Sequence, residues 1–362
     1  MGELKKSMLI EPQDNVAVAV EPIQAGEQTK AGEEILTAND FIKEGHKIAR
    51  CDIKKGEEII KYGVHIGVAT ADIRKGDWVH EHNVYDDFEE INREKRAFYR
   101  SMGKDDMDYS RVMQYTKEEL GLPETILGYP RKDGTFGVRN LVVVISLVQC
   151  SNNAAQKISE ACGIPATYVD AVCGEFPARF ERSKRGFISA GTHPNTYGAI
   201  LLSLGCQQTD PNEIKAAIEA TGRPVVSISM QDDGGATEAI RKGIEAAKKM
   251  KSEAEAQKRV PCPLSGLTLS GYNGGSDWTS GLSANPAVGV ALDMHEAIGG
   301  TIVEVCGRGG YPENAASYEV GMRLMEIGDF FNEDCTIRGG KGLSQVNPTP
   351  GNKAGGLTTM TE

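Results

Sequence analysis

Four cysteines in this sequence stand at the ends of apolar, strand-like runs: LVVVISLVQC ends at Cys150, TYVDAVC at Cys173, AILLSLGC at Cys206 and TIVEVC at Cys306. In an open α/β sheet, ligands bind in the crevice beyond the carboxyl ends of the strands. Thiols gathered at such an edge suit a soft metal such as iron. No spacing among them specifies a cluster, however, and a small cysteine is also an ordinary core residue.

Two glycine-rich loops belong to the same edge. SGYNGGSDWTSGLSANP (270–286) follows a strand and opens onto a helix, and SMQDDGGATEAI (229–240) does the same. Backbone N–H groups in such loops, together with a helix N-terminus, favour an anion such as a carboxylate. Asp232, Asp233 and Asp277 offer oxygen ligands or proton transfer, or they act as helix N-caps. Neither loop carries the spacing of a P-loop or a dinucleotide fingerprint.

The histidines are few. His46, His65, His80 and His82 all fall in the first ninety residues. His80 and His82 are expected to alternate on one face of a strand, where such a pair binds a metal or shuttles protons, or simply ends a strand in solvent. His193 reads as a helix-ending turn, and His295 as structural within a helix. Basic groups able to meet a carboxylate cluster in GYPRKDGTFGVRN (128–140), with Arg131, Lys132 and Arg139, and in NPTPGNKAGG (347–356), with Lys353. Arginine favours bidentate carboxylate contacts. Lysine beside a glycine turn serves as clamp or base, or as plain loop solvation.

The elements that must position these residues come in two kinds. Up to about residue 93 the chain repeats Ile, two further residues, then Gly: Ile23–Gly26, Ile42–Gly45, Ile53–Gly56 and Ile73–Gly76. Regular turns between short strands predict a compact all-β module whose turn lysines are mostly solvated. Residues 94–125 read as a charged, partly helical linker. From there apolar runs alternate with helical stretches, the pattern of parallel strands covered on both faces. PCPLSG at 261–266 divides this body into 126–258 and 261–362. The fold class is therefore α/β: an all-β module followed by two Rossmann-like parallel layers.

The chain has 362 residues and a formal net charge of −11, which argues against a nucleic-acid backbone as partner. No apolar stretch is long enough for a membrane span, and MGELKKSMLIEPQDN lacks a secretory h-region. Eight cysteines without a C-x-x-C pair read as reduced cytosolic thiols, so a cytoplasmic location is expected.

DNVAVAV, GHKIA and IIKYGVHIGVATADIRKGDWVHEHN in the module resemble the SAF-type β-clip domain of the altronate/galactarate dehydratase family of hydro-lyases. GYPRKDGTFGVRN, HPNTYGAILLSLGC, GGSDWTSGLSANPAVG and NPTPGNKAGGLTT resemble that family's body motifs, in the same order. Two positions depart from it: no histidine stands before Cys173 in VDAVCGEFPAR, and Asn273 replaces a family cysteine in NGGSD. The resemblance implies a small sugar-acid substrate, an aldonate or aldarate converted to a 2-keto-3-deoxy acid, and a divalent metal, Fe2+ or Mn2+. On this reading His46, His80, His82 and Lys353 are expected to be catalytic, and Cys150, Cys173 and Cys206 to be metal ligands. Arg131, Arg139, Gly274, Gly275, Ser276, Asp277, Asn285 and Asn352 would bind substrate. A homo-oligomer is expected. Family members continue beyond GNKAGGLTT, so the second body layer is expected to be incomplete, and a separate C-terminal subunit is a further expectation. The alternatives are a carbon–sulfur lyase that releases sulfite from sulfolactate, and a non-catalytic subunit that needs a partner.

Overall fold

The computed structural model describes residues 4–103, 106, 115–272, 274–305, 318–337, 344 and 346–362. Cys306 and Asn273 lie outside the described residues. The chain divides into two compact units, Met1–Leu120 with Leu269–Ala297 and Ile302–Glu362, and Gly121–Thr268 with Ile298–Thr301.

In the first unit the N-terminal strands are β1 (Lys5–Met8), β2 (Val16–Ala19), β3 (Gln28–Ala31), β4 (Glu34–Thr37), β5 (Lys47–Ala49), β6 (Glu58–Lys61), β7 (Val64–Ala69), β8 (Trp78–Val79) and β9 (Val84–Tyr85). They form one sheet in the order β4-β3-β1-β2-β5-β8 and a second in the order β6-β7-β9. The repeated Ile-x-x-Gly units are the joints between them. Ile23 bridges Ile42, and Ile53 bridges Ile73, each pair antiparallel. All four isoleucines are buried, and each unit's glycine has a positive φ of 79–92°. At Gly76 the requirement is twofold, because an added Cβ would also strike the Thr37 carbonyl oxygen.

Helix α1 (Phe88–Ser101) follows, then the single turn α2 (Lys117–Leu120). The expected linker is thus partly helical, but α1 is also docked. Arg96 is buried and gives its Nη1 proton to the Met325 carbonyl at 2.9 Å and to Asp329 at 2.8 Å.

The second unit holds β10 (Thr125–Pro130), β11 (Phe136–Gly137), β12 (Leu141–Ser146), α3 (Asn152–Cys162), β13 (Ala166–Thr167), α4 (Pro177–Thr192), β14 (Thr196–Ser203), α5 (Pro211–Glu219), β15 (Val225–Ser229), α6 (Ala236–Ala256) and β16 (Val260–Pro263). Strands β13-β12-β14-β15 make one sheet, parallel throughout. Its faces are filled separately. Val142, Val144, Ile200 and Leu202 pack with Ile158 of α3 and Ala247 and Met250 of α6. Val143, Ile145, Ala199 and Leu201 pack with Phe187 of α4 and Ile214 and Ile218 of α5. Alternate residues of each strand therefore face opposite layers, as a doubly covered sheet requires. The strand expected through TYVDAV shortens to Ala166–Thr167. Residues 168 and 170 are exposed there, and the Asn152 side chain bonds both Val169 backbone groups in place of a ladder partner.

The remaining elements are β17 (Thr268–Tyr272), α7 (Asn285–Ala297), β18 (Thr301–Val305), α8 (Tyr318–Ile337) and the short α9 (Pro350–Ala354). β17 and β18 pair as a two-stranded sheet. A π-helical turn, Ser280–Ala284, leads into α7. Among the described residues no helix is long and apolar enough to cross a membrane.

Candidate active site

The first unit brings together residues from both ends of the sequence around α9. Thr349 caps this helix in a reciprocal box: its hydroxyl accepts from the Asn352 N–H, and the Asn352 side chain accepts from the Thr349 N–H. The Asn352 amide also donates to the Ser276 carbonyl at 2.7 Å, which ties α9 to the glycine loop.

Two cavities lie against this segment. One, about 700 Å³, is lined by Glu81, His82, Asp86, Arg93, Lys353 and Thr358, among others. The second, about 540 Å³, is lined by Gly274, Ser276, Ser280, Asn285, Asn352 and Thr359, among others, with Glu362 also in its wall. Lys353 forms an ion pair with Glu81 at 2.9 Å, and this contact, largest among its influences, holds the Glu81 carboxyl below its usual range.

His46 and His80 sit behind α9. His80 donates from Nε2 to the Lys353 carbonyl at 3.0 Å, and His46 donates from Nε2 to the Ala354 carbonyl at 3.3 Å. The Trp78 indole N–H donates to His46 Nδ1 at 3.1 Å, so His46 is a neutral imidazole with both nitrogens engaged. The rings stack, with His46 and His80 centroids 4.7 Å apart and Trp78 5.2 Å from His80. Burial is the main reason that both histidines lose affinity for a proton; His80 is brought down to about 4. His82 is exposed against the Trp78 ring, 4.7 Å centroid to centroid. The expected common strand face of His80 and His82 is corrected: β8 ends at Val79, and a turn carries both residues. Asn83 closes that turn, accepting from the His80 N–H and donating to the Trp78 carbonyl, so His80 goes inward and His82 outward.

Of the expected substrate-binding residues, Gly274, Ser276, Asn285 and Asn352 line the second cavity. Gly275 is exposed in the same loop. Asp277 accepts from the N–H and hydroxyl of Thr279, a cap geometry. Asp233 caps no helix: it accepts from the N–H of Ser229, the last residue of β15, and pairs with Lys242 at 2.8 Å.

Sequence reading missed a third group of residues. Lys47 and Lys61 are fully buried, and both meet the equally buried Glu362, at 2.8 and 2.7 Å. They belong to strands of the module, not to its solvated turns. His65, between β6 and β9, pairs with Asp87 at 2.8 Å. His193 ends α4, and His295 is buried in α7, as their sequence contexts imply.

In the second unit Cys150 follows β12 and Cys206 follows β14, adjacent strands of the parallel sheet. Cys150, Cys173 and Cys206 are all exposed. The Cys173 thiol contacts Cys206 and, more than any other influence, raises its pKa; Cys150 is near enough to add to the effect. The donors are right in kind for a soft metal. Their arrangement does not fit one: among the described residues no group of three or more His, Cys, Asp or Glu side chains is placed to hold an ion. Arg131 donates to the Pro194 and Arg139 carbonyls, which makes it a brace of its own loop, while Arg139 is exposed.

Known proteins agree with this architecture. Residues 5–87 match the altronate/galactarate dehydratase SAF domain. Residues 128–255 match the D-galactarate dehydratase/altronate hydrolase second domain, and 264–362 the D-galactarate/altronate dehydratase C-terminal domain. Altronate dehydratase of Bacillus subtilis (strain 168) is 30% identical over 374 residues, covering 99% of this chain and 72% of that protein. Galactarate dehydratase (L-threo-forming) of Escherichia coli (strain K12) is 28% identical, with 96% and 69% covered. The beta subunit of (2R)-sulfolactate sulfo-lyase of Chromohalobacter salexigens is 31% identical over 248 residues, with 66% and 62% covered. Matched over its whole described architecture, the chain belongs to the altronate/galactarate dehydratase family of hydro-lyases.

Proposed function

We propose that this protein removes water from a sugar acid, an aldonate or aldarate such as altronate or galactarate, to give a 2-keto-3-deoxy acid. The observation that carries this reading is the pair His82 and Lys353, remote in sequence, lining one cavity of about 700 Å³. The proton on C2 is weakly acidic, so its removal needs a nearby base and a positive group by the carboxylate where charge develops. His82 takes the first role and Lys353 the second. Hydroxide then leaves C3 and is protonated to water, and the enol tautomerises to the 2-keto acid. His46 and His80 serve this site by holding α9, since each gives its Nε2 proton to one of its carbonyls. Gly274, Ser276, Asn285 and Asn352, which line the second cavity, face the hydroxyl-bearing part of the substrate.

The thiols of Cys150, Cys173 and Cys206 would take a divalent metal, Fe2+ or Mn2+, only if a third donor moved closer than it stands here. The test of the main reading is 2-keto acid formation by the purified protein, with and without added Fe2+ or Mn2+, from a panel of aldonates and aldarates. No product from any of them sinks it. The match to a sulfolactate sulfo-lyase subunit supports a second reading, a carbon–sulfur lyase. Sulfite released from sulfolactate would mark that activity, because a dehydratase releases none.

A further inference from the structure

We propose that Lys47 and Lys61 are positioning residues for this reaction: by seating Glu362 and the backbone of Gly356–Thr358, they fix the segment that follows α9 and, through it, Lys353. The proposal rests on the reading that the Lys353 cavity is where chemistry takes place.

Lys47 Nζ donates to the Gly356 carbonyl at 3.0 Å, to the Thr358 hydroxyl at 2.7 Å and to both Glu362 carboxylate oxygens at 2.8 and 2.9 Å. Lys61 Nζ donates to Glu362 Oε1 at 2.7 Å, and the Thr358 N–H donates to Oε2 at 2.7 Å. The carboxylate is therefore saturated with donors and is no base. Buried charges left without partners are strongly unfavourable, so the interior of the β-module is complete only when this segment occupies it. The end of α9 and the segment after it, residues 353–362, are pinned at three further points: His80 on the Lys353 carbonyl, His46 on the Ala354 carbonyl and Asp86 on the Met360 N–H at 2.9 Å. Lys353 and Thr358 line the larger cavity, while Leu357, Thr359, Met360 and Glu362 line the other. A shift of Glu362 moves walls of both.

The latch has a pH at which it loosens. Burial lowers Lys47 to about 8, Glu362 works against that, and Lys61 adds to it. The other titratable groups beside Lys47, His46 and His80, have their proton affinity lowered mainly by burial, so the balance lies among the two lysines and Glu362.

The experiment takes the full chain as wild type, Glu362→Gln, Glu362→Asp and Lys47→Met. It records kcat and KM for the best sugar acid from about pH 7 to about pH 9, and hydrogen–deuterium exchange of the peptide spanning 353–362 over the same range. Wild type should show kcat/KM falling along an alkaline limb near pH 8, with faster exchange in 353–362 at the same pH. Glu362→Gln removes the group that favours charge on Lys47. It should move the limb down by about one pH unit and lower kcat by on the order of a hundredfold, with partial rescue in Glu362→Asp. Folded Glu362→Gln and Lys47→Met proteins with wild-type kcat, KM and limb would overturn the proposal. So would exchange in 353–362 that responds neither to pH nor to Glu362→Gln, which also decides the matter if Lys47→Met fails to fold. If wild type makes no keto acid at all, the dehydratase reading fails, and exchange alone still decides whether the lysines hold the segment.

Discussion

His80 gives its Nε2 proton to the carbonyl of Lys353 at 3.0 Å, while the side chain of the same lysine meets Glu81, the residue next to His80, at 2.9 Å. One turn of the β-module thus holds both the backbone and the charge of Lys353. Replacing His80 with Ala should cost about 1 kcal/mol of stability from the lost hydrogen bond, and it should lower activity through the displaced α9. Chemical denaturation and steady-state kinetics on the same preparation measure both effects.

Acid should act through the same histidine. Its pKa is lowered from the ordinary 6.5 to about 4 in the fold, chiefly because burial disfavours the charged ring. Between these values the unfolded chain binds the extra proton, so this group's contribution is present above pH 6.5 and is lost as pH falls toward 4. Thermal melts of wild type should drop through that window, and His80→Asn should flatten the drop. An identical slope in both proteins would assign the acid sensitivity elsewhere.

At the larger cavity, Lys353→Gln removes the charge and leaves a polar side chain one atom shorter. A charged hydrogen bond to a substrate carboxylate contributes about 1.5–3 kcal/mol, so kcat/KM should fall by roughly 10- to 100-fold with the fold intact. Wild-type kinetics in this variant would remove Lys353 from the site.

Much of the scaffold was legible because local signals agreed with one another. In Ile23–Gly26 and its three counterparts, a buried apolar residue and a positive-φ glycine recur at fixed spacing, and turns follow. The runs at 141–146 and 196–203 are apolar on both faces, as parallel strands between helices must be. Helix α4 left little trace, because among its sixteen residues only Phe187 and Gly191 are buried. Strand periodicity puts His80 and His82 on one face only if the strand runs past Val79, and Asn83 closes a turn there instead. Lys47 and Lys61 were invisible for a different reason. A lysine inside a strand reads as solvated unless its partner is known, and Glu362 lies 301 residues from Lys61.

Gly356 tests the docking of the C-terminal segment without touching a charge. Its φ is +98°, and an added Cβ would run into the backbone of Gly45. Gly356→Ala therefore combines backbone strain with overpacking, and it should destabilise by about 2 kcal/mol or more. Gly351→Ala, within α9, meets only the Thr349 hydroxyl at 3.8 Å and should be nearly silent. Denaturant midpoints of the two variants check the contrast, and similar losses in both would mean that the close approach to Gly45 does not matter.

The thiol edge of the second unit can be probed by metal analysis. Cys173 and Cys206 are in contact and exposed, with Cys150 nearby. If an Fe2+ ion binds there, it must displace the thiol protons and draw a third ligand closer, because the described side chains hold no three-donor site. Metal content measured on protein purified without oxygen should then be close to one ion per chain. It should fall steeply in Cys206→Ala and Cys173→Ala, while Cys262→Ala, a buried cysteine of β16, keeps it. Binding should also weaken as pH falls, since protons compete for the thiolates, and the raised Cys206 pKa makes that competition stronger for it than for an ordinary thiol. Metal retained in both thiol variants would place the ion elsewhere, and a metal-free wild type that still turns over sugar acids would remove it from the reaction.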